Sequence, residues 1–445
     1  MEKFLVQYRM DTARIRSKLH LLLRQYHLLS EKKFIPGKSL IRYAGAVYNE
    51  KELNSMTDAM LGGWFGLSQE AEKLEKELAL YIGARKSFLT NSGSSADLLA
   101  VTSLMSQQFS ERLKPGDEVI TPACTFPTVV SSLYYNKLKP VFVDVDVRKL
   151  NPEPDNFERA ISKKTRAILL VHQLGNPCEM DEIMRIARKH HLLVIEDNCD
   201  ALGSTYKGKN TGSFGILSTQ SFYPAHHITM AGEGGAVYIN DSRFIRIVQS
   251  LRDWGRACWC GAAGGGPNGE CGIRFNYTID GVPYDHKYMF THIGFNLKPV
   301  EIQAAMGRVQ LKKLPTFIKK RKKNFQKLYE FFTRYQSIFL LPQATPFSDP
   351  SWFSFPLTIR KNVRFDRLKL TRYLEDHQIQ TRPMFTGNIL RQPAFKNLNC
   401  RVSGRLSNAD FIHTNTFFIG VYPGIGIEQM TYIKKTFSEF IKRYG

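Results

Sequence analysis

The sequence has no apolar run that approaches the roughly 18 residues needed to cross a membrane, and its mean hydropathy is −0.28. This absence excludes a membrane-spanning protein. A signal-peptide core is also lacking, because Arg14, Arg16, Lys18 and Arg24 interrupt the leucines of residues 1–30. The pattern predicts an amphipathic N-terminal helix, and we expect the protein to be cytoplasmic.

Cysteine is scarce, with seven among 445 residues, far too few for a disulfide scaffold. In a cytosolic protein, closely spaced cysteines indicate metal or redox chemistry instead. Acidic residues are few as well: 40 against 62 Lys and Arg, a formal net charge of +22. Such an excess is typical of proteins that bind nucleic acid, anionic lipid or an acidic small substrate. No nucleic-acid recognition motif is present, and the dense basic run 319–323 is predicted to form a solvated helix face.

The order of predicted elements favours an α/β fold with two domains. Short β-branched runs alternate with amphipathic helices between about residues 68 and 250, which predicts a mostly parallel sheet covered on both faces. A long helical region follows from about Val300, with a break expected at Pro315, and leads into a smaller α+β part. The predicted strands are 118–121, 140–145, 167–171, 192–196, 219–223, 235–239 and 353–359, and the predicted helices are 70–82, 95–105, 180–190, 364–377 and 427–443.

Two segments have features of ligand sites, although each also has a structural explanation. Residues 194–200 read Val-Ile-Glu-Asp-Asn-Cys-Asp, a strand that ends in carboxylates where open α/β sheets bind ligands. A capping aspartate at a strand end would give the same pattern. Residues 91–96 read Asn-Ser-Gly-Ser-Ser-Ala before a helix, whose first N–H groups can bind a phosphate. A serine-rich helix cap is the alternative there.

A third segment, residues 221–226, reads Ser-Phe-Tyr-Pro-Ala-His and is followed by Gly-Glu-Gly-Gly-Ala-Val at 232–237. It resembles the DegT-type sugar aminotransferases, vitamin B6 enzymes of the aspartate aminotransferase fold, which is fold type I of the PLP-dependent transferases. Their pattern is Ser-Phe-x-Pro-x-Lys, about thirty residues after the aspartate that pairs with the cofactor's ring nitrogen. Asp197 precedes His226 by 29 residues, so His226 stands at the lysine position.

The histidine changes the chemistry that this resemblance implies. An imidazole cannot form the lysine's covalent link to pyridoxal phosphate, so ordinary transamination is not expected. It can act as a catalytic base, with a pKa expected near neutrality. A histidine here is similar to the sugar 3-dehydrases of the family, which use pyridoxamine phosphate. An inactive aminotransferase that keeps the fold is the alternative.

The resemblance runs from about residue 35 to the C-terminus and implies further site residues. Asp197 would pair with the ring nitrogen, Phe126 would stack on the ring, and Asn296 would reach the phosphate of a neighbouring subunit's cofactor, which implies a homodimer. The implied phosphate-binding residues are Gly93, Ser94 and Ser221. We expect an N-terminal helical arm (1–45), a large α/β cofactor-binding domain (46–300) and a small C-terminal domain (301–445).

Four cysteines have the spacing Cys-x58-Cys-x-Cys-x10-Cys, which matches neither ferredoxin patterns nor paired Cys-x2-Cys zinc knuckles. It is similar to the motif Cys-x57-Cys-x-Cys-x7-Cys of the CDP-4-keto-6-deoxy-D-glucose 3-dehydrases, which carry a 2Fe–2S cluster. The implied cluster ligands are Cys199, Cys258, Cys260 and Cys271. Free structural thiols are the alternative.

The resemblance therefore implies a dehydrase that removes the C3 hydroxyl of CDP-4-keto-6-deoxy-D-glucose in 3,6-dideoxysugar synthesis for lipopolysaccharide O-antigen. An NADH-dependent flavin/iron–sulfur reductase would supply electrons through the cluster. Neither a nucleic-acid partner nor a membrane span is expected. Two alternatives stay open: a cluster-independent enzyme similar to GDP-4-keto-6-deoxymannose 3-dehydratase, and a non-catalytic nucleotide-sugar-binding descendant.

Overall fold

The computed structural model describes residues 11–30, 32–260 and 272–445. These residues form sheets of eight, four, three and two strands, and helices that pack on the two larger sheets. The α/β fold expected from the sequence is confirmed. Within the described ranges, no helix combines the length and apolar character that a membrane crossing requires.

The strands are β1 (Lys86–Thr90), β2 (Glu118–Pro122), β3 (Lys139–Val143), β4 (Thr165–Val171), β5 (Leu193–Asp197), β6 (Thr205–Tyr206), β7 (Lys209–Asn210), β8 (Leu217–Ser221), β9 (Gly235–Ile239), β10 (Tyr277–Ile279), β11 (Val282–Tyr284), β12 (Phe339–Leu340), β13 (Ser348–Asp349), β14 (Ser354–Ile359), β15 (Arg382–Pro383), β16 (Arg401–Val402) and β17 (Thr416–Gly420). The helices are α1 (Thr12–Ser30), α2 (Glu50–Leu61), α3 (Gln69–Ile82), α4 (Gly93–Leu104), α5 (Pro127–Tyr135), α6 (Pro154–Arg159), α7 (Met180–Lys189), α8 (Phe244–Arg252), α9 (Glu301–Phe332), α10 (Arg367–Asp376), α11 (Ser407–Asn415) and α12 (Ile427–Tyr444). Every strand and helix predicted between residues 70 and 239 is confirmed to within two residues at each end. The elements of this range that were not predicted are β1, β6, β7, α5 and α6.

The large sheet has the strand order β1-β9-β8-β5-β4-β2-β3-β16. It is parallel from β16 to β8, and only β9 runs antiparallel to its neighbours β8 and β1. Both faces are buried, because alternate residues of β4 join different cores: Leu169 packs in one and Ile168 in the other. The carboxyl ends of β5 and β8 therefore meet at one edge of a doubly covered sheet, where such folds bind ligands.

The long helix α9 connects this sheet with the C-terminal part. Its first half packs against α2 and α3, with Leu314 and Phe317 in the core beneath β9. Its second half places Phe325 and Leu328 in the core of the four-stranded sheet β12-β14-β17-β15. The division of the chain at residues 45 and 300 stays a prediction, and β16 returns from the C-terminal part to pair with β3.

Two predictions about α9 are wrong. The helix is not broken at Pro315, which lies exposed between Leu314 and Phe317; burial of both neighbours offsets the hydrogen bond that proline cannot donate. The run 319–323 is not wholly solvated either, because Arg321 follows Phe317 by four residues and shares its buried face. Only 1% of the Arg321 surface is exposed.

Candidate active site

A cavity of about 600 Å³ opens at the carboxyl ends of β4, β5 and β8. Aromatic side chains of the C-terminal part, including Phe353 and Phe385, close its far side. Seven of the site residues predicted from the sequence line this cavity together: Gly93, Ser94, Phe126, Asp197, Cys199, Ser221 and His226.

One end of the cavity is the N-terminus of α4. Ser92 caps this helix, and its Oγ accepts a hydrogen bond from the Ser95 N–H at 3.0 Å. Gly93 lies so close to β8 that a Cβ on it would be 2.4 Å from the Cβ of Ser221. The glycine therefore lets the free N–H groups of the first helical turn and the Ser221 hydroxyl face the same space. Such N–H groups, at the positive end of the helix dipole, form an anion site.

A buried acidic group lies deeper in the cavity. The carboxylates of Asp97 and Asp197 and the thiol of Cys199 have atoms within 4.8 Å of one another. Asp97 accepts a hydrogen bond from Thr219 Oγ1 at 2.7 Å, and Asp197 accepts one from the Cys199 backbone N–H at 2.9 Å. Burial raises the pKa of Asp197, and burial together with the Asp197 charge raises that of Asp97 well above its usual range. Two buried carboxyls of this kind would be stabilised by a protonated ring nitrogen.

The same surroundings act on the Cys199 thiol. Burial, and then the charge of Asp197, raise its pKa well above the ordinary value of 9.0. Cys199 is therefore a protonated thiol here, and it differs from the low-pKa cysteines that react or ligate readily.

Phe126 provides a flat apolar surface at the cavity wall. It precedes α5, and 48% of its surface is exposed. Its ring meets Phe385 edge-on, with the centroids 5.8 Å apart and the planes at 88°. This packing holds the ring while a face stays open to the cavity, which is suitable for stacking on an aromatic ligand.

His226 is the imidazole of the site. Its Nδ1 is buried and lies 3.5 Å from Oδ1 of Asp200, and both residues line the cavity. The ring packs on Phe353, with the centroids 5.4 Å apart. Burial, and then the positive charge of Arg321, lower the pKa of His226 to about 3. The near-neutral pKa expected from the residue type is thus not found, and the imidazole is neutral and able to accept a proton.

Sequence reasoning missed three residues near this histidine and the acidic group. Asp97 lies one helical turn after Gly93, a spacing that places it on the same face of α4. Asp200 belongs to the segment 194–200, but no role of its own was predicted for it; burial and the charge of Asp197 raise its pKa to about 8. Arg321 comes from α9, about 95 residues beyond His226 in the chain, and only the four-residue register of buried positions on that helix could have indicated it.

Asn296 does not line the cavity. Its loop lies beside the α4 end all the same, because the Leu297 carbonyl accepts a hydrogen bond from the Asn91 N–H at 2.7 Å. Asn296 itself forms a backbone bridge with Asp253. Its role towards a neighbouring subunit stays a prediction.

The predicted cluster ligands are not brought together in the described residues. Cys258 and Cys260 line a second cavity, of about 1090 Å³, whose wall includes Arg246 and Arg256. Cys199 lines the first cavity, and Cys271 lies outside the described residues. In the described ranges, no group of three candidate metal ligands joins Cys199 to Cys258 or Cys260.

Residues 47–438 match the DegT/DnrJ/EryC1/StrS aminotransferase family. The chain belongs to this family. It is 46% identical to a dTDP-4-dehydro-2,6-dideoxy-D-glucose 3-dehydratase of Saccharopolyspora spinosa, over 94% of this chain and 91% of the relative. It is 44% identical to the lipopolysaccharide biosynthesis protein RfbH of Salmonella typhimurium, over 97% and 99%. Among solved structures, the E. coli GDP-4-keto-6-deoxy-D-mannose-3-dehydratase with bound hydrated PLP matches with a TM-score of 0.81 and 28% identity, over 89% of this chain and 99% of that one.

Proposed function

We propose that this protein is a pyridoxamine-phosphate-dependent dehydratase that removes the C3 hydroxyl of a nucleotide-linked 4-keto-6-deoxyhexose. The observation that carries the proposal is the neutral His226, which stands where the aminotransferases of the family have their lysine and faces a cavity that fits the cofactor. The 3-dehydratases among its relatives and structural neighbours support the same class of reaction.

The cavity residues fit pyridoxamine phosphate from end to end. When bound, the cofactor supplies an amine that condenses with the C4 ketone of the sugar and a ring that withdraws electrons. The first N–H groups of α4 and the Ser221 hydroxyl would bind its phosphate, and Phe126 would cover one face of the ring. Asp197 would hold a proton on the ring nitrogen, which the raised pKa values of the acidic group favour.

His226 would move the proton. As a general base, the imidazole would accept the proton whose removal sends electrons towards the C3–O bond. The departing C3 hydroxyl needs a proton to leave as water, and the protonated imidazole in the same cavity could donate it. Phe353 and Phe385 line the cavity, and their rings would limit the access of bulk water to a bound sugar.

The substrate we propose is CDP-4-keto-6-deoxy-D-glucose, in 3,6-dideoxysugar synthesis for lipopolysaccharide. Support comes from the cysteine spacing and from the Salmonella relative, which is named for lipopolysaccharide biosynthesis. Two other similar enzymes are named for dTDP- and GDP-linked sugars, so these nucleotides are the natural competitors in a test.

The test is anaerobic incubation of cofactor-loaded protein with CDP-, dTDP- and GDP-linked 4-keto-6-deoxyhexoses, followed by mass analysis of the sugars. We expect the released CDP-linked sugar to be lighter by one oxygen atom, with the electrons supplied by a reductase or by the amine of the cofactor, and we expect His226→Asn to lose this activity. His191→Asn, an exposed histidine outside the cavity, is the matched control. Equal activity of His226→Asn and wild type would refute the base assignment. Failure to bind pyridoxamine phosphate would favour the non-catalytic alternative.

A 2Fe–2S cluster on Cys199, Cys258, Cys260 and Cys271 is a separate proposal that rests on their spacing. The described cysteines do not form such a ligand set within one chain. Iron analysis after anaerobic purification tests it: about two irons per chain, lost in Cys258→Ala and kept in Cys124→Ala, would support the cluster and, with it, the reductase partner. Iron-free protein that still releases the 3-deoxy sugar without a reductase would support the cluster-independent alternative.

We also propose a cytoplasmic homodimer in which Asn296 completes the partner's phosphate site. The support is that its loop borders the α4 end while Asn296 stays outside the cavity of its own chain. Light scattering should give twice the chain mass, and Asn296→Ala should weaken cofactor binding without dissociating the dimer. A monomer that binds cofactor fully would refute this.

A further inference from the structure

Arg321 lies directly behind the catalytic histidine. From the middle of α9, its Nη2 donates a hydrogen bond to the carbonyl of His226 at 2.9 Å. Its Nη1 donates to the carbonyl of Phe353 at 2.9 Å and to that of Trp352 at 3.4 Å. One guanidinium thus joins the His226 loop to the segment that leads into β14, whose Phe353 ring packs on the imidazole.

The charge of Arg321 is not needed for these hydrogen bonds. Within the described residues it has no carboxylate within ion-pair distance, and burial lowers its pKa to about 9. A neutral amide could donate to a backbone carbonyl without the cost of burying a charge. The positive charge must therefore be balanced by, and act on, groups a little farther away.

Those groups surround His226. The acidic residues of the cavity are Asp97 on α4, Asp197 at the end of β5, Asp200 just after it, and Glu233. The other titratable residues are His227 next to His226, Tyr422 near Arg321, and the cavity-lining residues Tyr43, Tyr223 and Arg382. The Asp200 carboxyl, 3.5 Å from Nδ1, would by itself favour an imidazolium ion. Burial, and then the Arg321 charge, oppose this and lower the pKa of His226.

We propose that Arg321 is a positioning residue for His226: it fixes the histidine backbone through the carbonyl and keeps the imidazole in the neutral form that can accept a proton. The catalytic importance of that form rests on the proposed dehydration. The placement and protonation state of His226 can be tested without any sugar substrate.

The first test is an NMR titration of the cofactor-loaded protein with ¹⁵N-labelled histidine, in which the His226 signals are identified by their absence in His226→Asn. Arg321→Gln removes the charge and keeps a donor, so protonation of His226 should begin at least about one pH unit higher than in wild type. Lys320→Gln removes an exposed charge one residue away and should leave the titration unchanged. Equal titrations of Arg321→Gln and wild type, or an equal shift in Lys320→Gln, would overturn the proposal.

The second test separates charge from geometry. Arg321→Lys keeps the charge but not the fork of donors, so it should preserve the His226 titration and lower kcat about tenfold or more with little change in KM. In Arg321→Gln the acid limb of the kcat profile should move to higher pH by the same amount as the NMR titration. If Arg321→Lys behaved as wild type in kcat, the positioning role would be refuted. If no sugar reacted at all, the proposed function would fail while the NMR result still stood.

Discussion

Replacement of Gly93 by alanine tests the phosphate end of the cavity. A Cβ at this position would lie 2.4 Å from the Cβ of Ser221, 2.9 Å from its Oγ and 3.0 Å from its Cα. Carbon atoms pack at about 3.5–4.0 Å, so α4 and β8 would have to separate by about 1 Å. The backbone of Ser221 is part of the contact, and a change of rotamer therefore cannot relieve it.

The cost has two parts. Overpacking of this kind destabilises a fold by about 1–3 kcal/mol. The higher helix propensity of alanine offsets at most about 1 kcal/mol of this loss. The larger effect falls on cofactor binding, because separation removes hydrogen bonds between the α4 end and the phosphate. A lost hydrogen bond to a charged group costs about 1.5–3 kcal/mol, which corresponds to an increase in Kd of about 10- to 150-fold.

The assay is a titration of the protein with pyridoxal phosphate, followed by absorbance and supported by thermal melting. Gly66→Ala is the matched control, since its Cβ would meet nothing closer than 3.4 Å and lies outside this cavity. Ser221→Gly should make room for the alanine, so Gly93→Ala should cost at least about 1 kcal/mol less in that background. The close approach would be refuted if Gly93→Ala bound the cofactor like wild type, or if its cost were equal in both backgrounds.

Three further outcomes follow from the buried charges. Arg252→Met should lower the free energy of unfolding by about 3–5 kcal/mol, because it leaves the buried carboxylate of Glu75 without its ion-pair partner. In urea denaturation, Arg243→Met, which removes an exposed arginine, should lose at most about 1 kcal/mol, and an equal loss would contradict this. Hydrogen bonds from Arg401 lower the pKa of Glu118 from 4.5 to about 2. Ionised Glu118 therefore stabilises the fold fully above pH 4.5, and this stabilisation is lost as the pH falls towards 2. The melting temperature should therefore decline more steeply over this range in wild type than in Glu118→Gln, and parallel profiles would contradict it. Asp197→Asn should weaken binding of pyridoxal phosphate about tenfold or more in the same titration, and unchanged affinity would exclude Asp197 as the ring-nitrogen partner.

The sequence predicts the large sheet well because its signals are local. The strand at residues 235–239 is found with the predicted bounds, and β5 is displaced by a single residue. Gly93, Asp197 and Ser221 are found together because each ends or begins an element at the same edge of the sheet. Alternating burial and helix-cap chemistry depend on neighbours along the chain, so one sequence is enough to detect them.

The cysteines show where such reasoning ends. Cys258 and Cys260 are two residues apart and are neighbours in any fold, but the position of Cys199 is set by β5, which places it in the cavity with Asp197. Whether two chain segments about sixty residues apart meet depends on the packing of everything between them. A spacing motif carries that information only through its resemblance to other chains, and the described residues place the two segments on different cavities.

Arg321 shows the same limit in electrostatics. The net charge of +22 says nothing about where the cations lie in the structure. The five basic residues of the run 319–323 contribute to it equally. On the helix they differ: Lys319, Lys320 and Lys323 are exposed, whereas Arg321 continues the row of Phe317, Phe325 and Leu328 into the core. A cation at a core position costs free energy unless a nearby group interacts favourably with its charge, and here the charge of Arg321 acts on the buried His226 and on the buried carboxyl of Asp200. The cation with a functional role in this basic run is therefore the one that lies on the apolar face of the helix. A comparison of the His226 titration in Arg321→Gln and in Lys320→Gln measures how much the buried charge contributes beyond an exposed one.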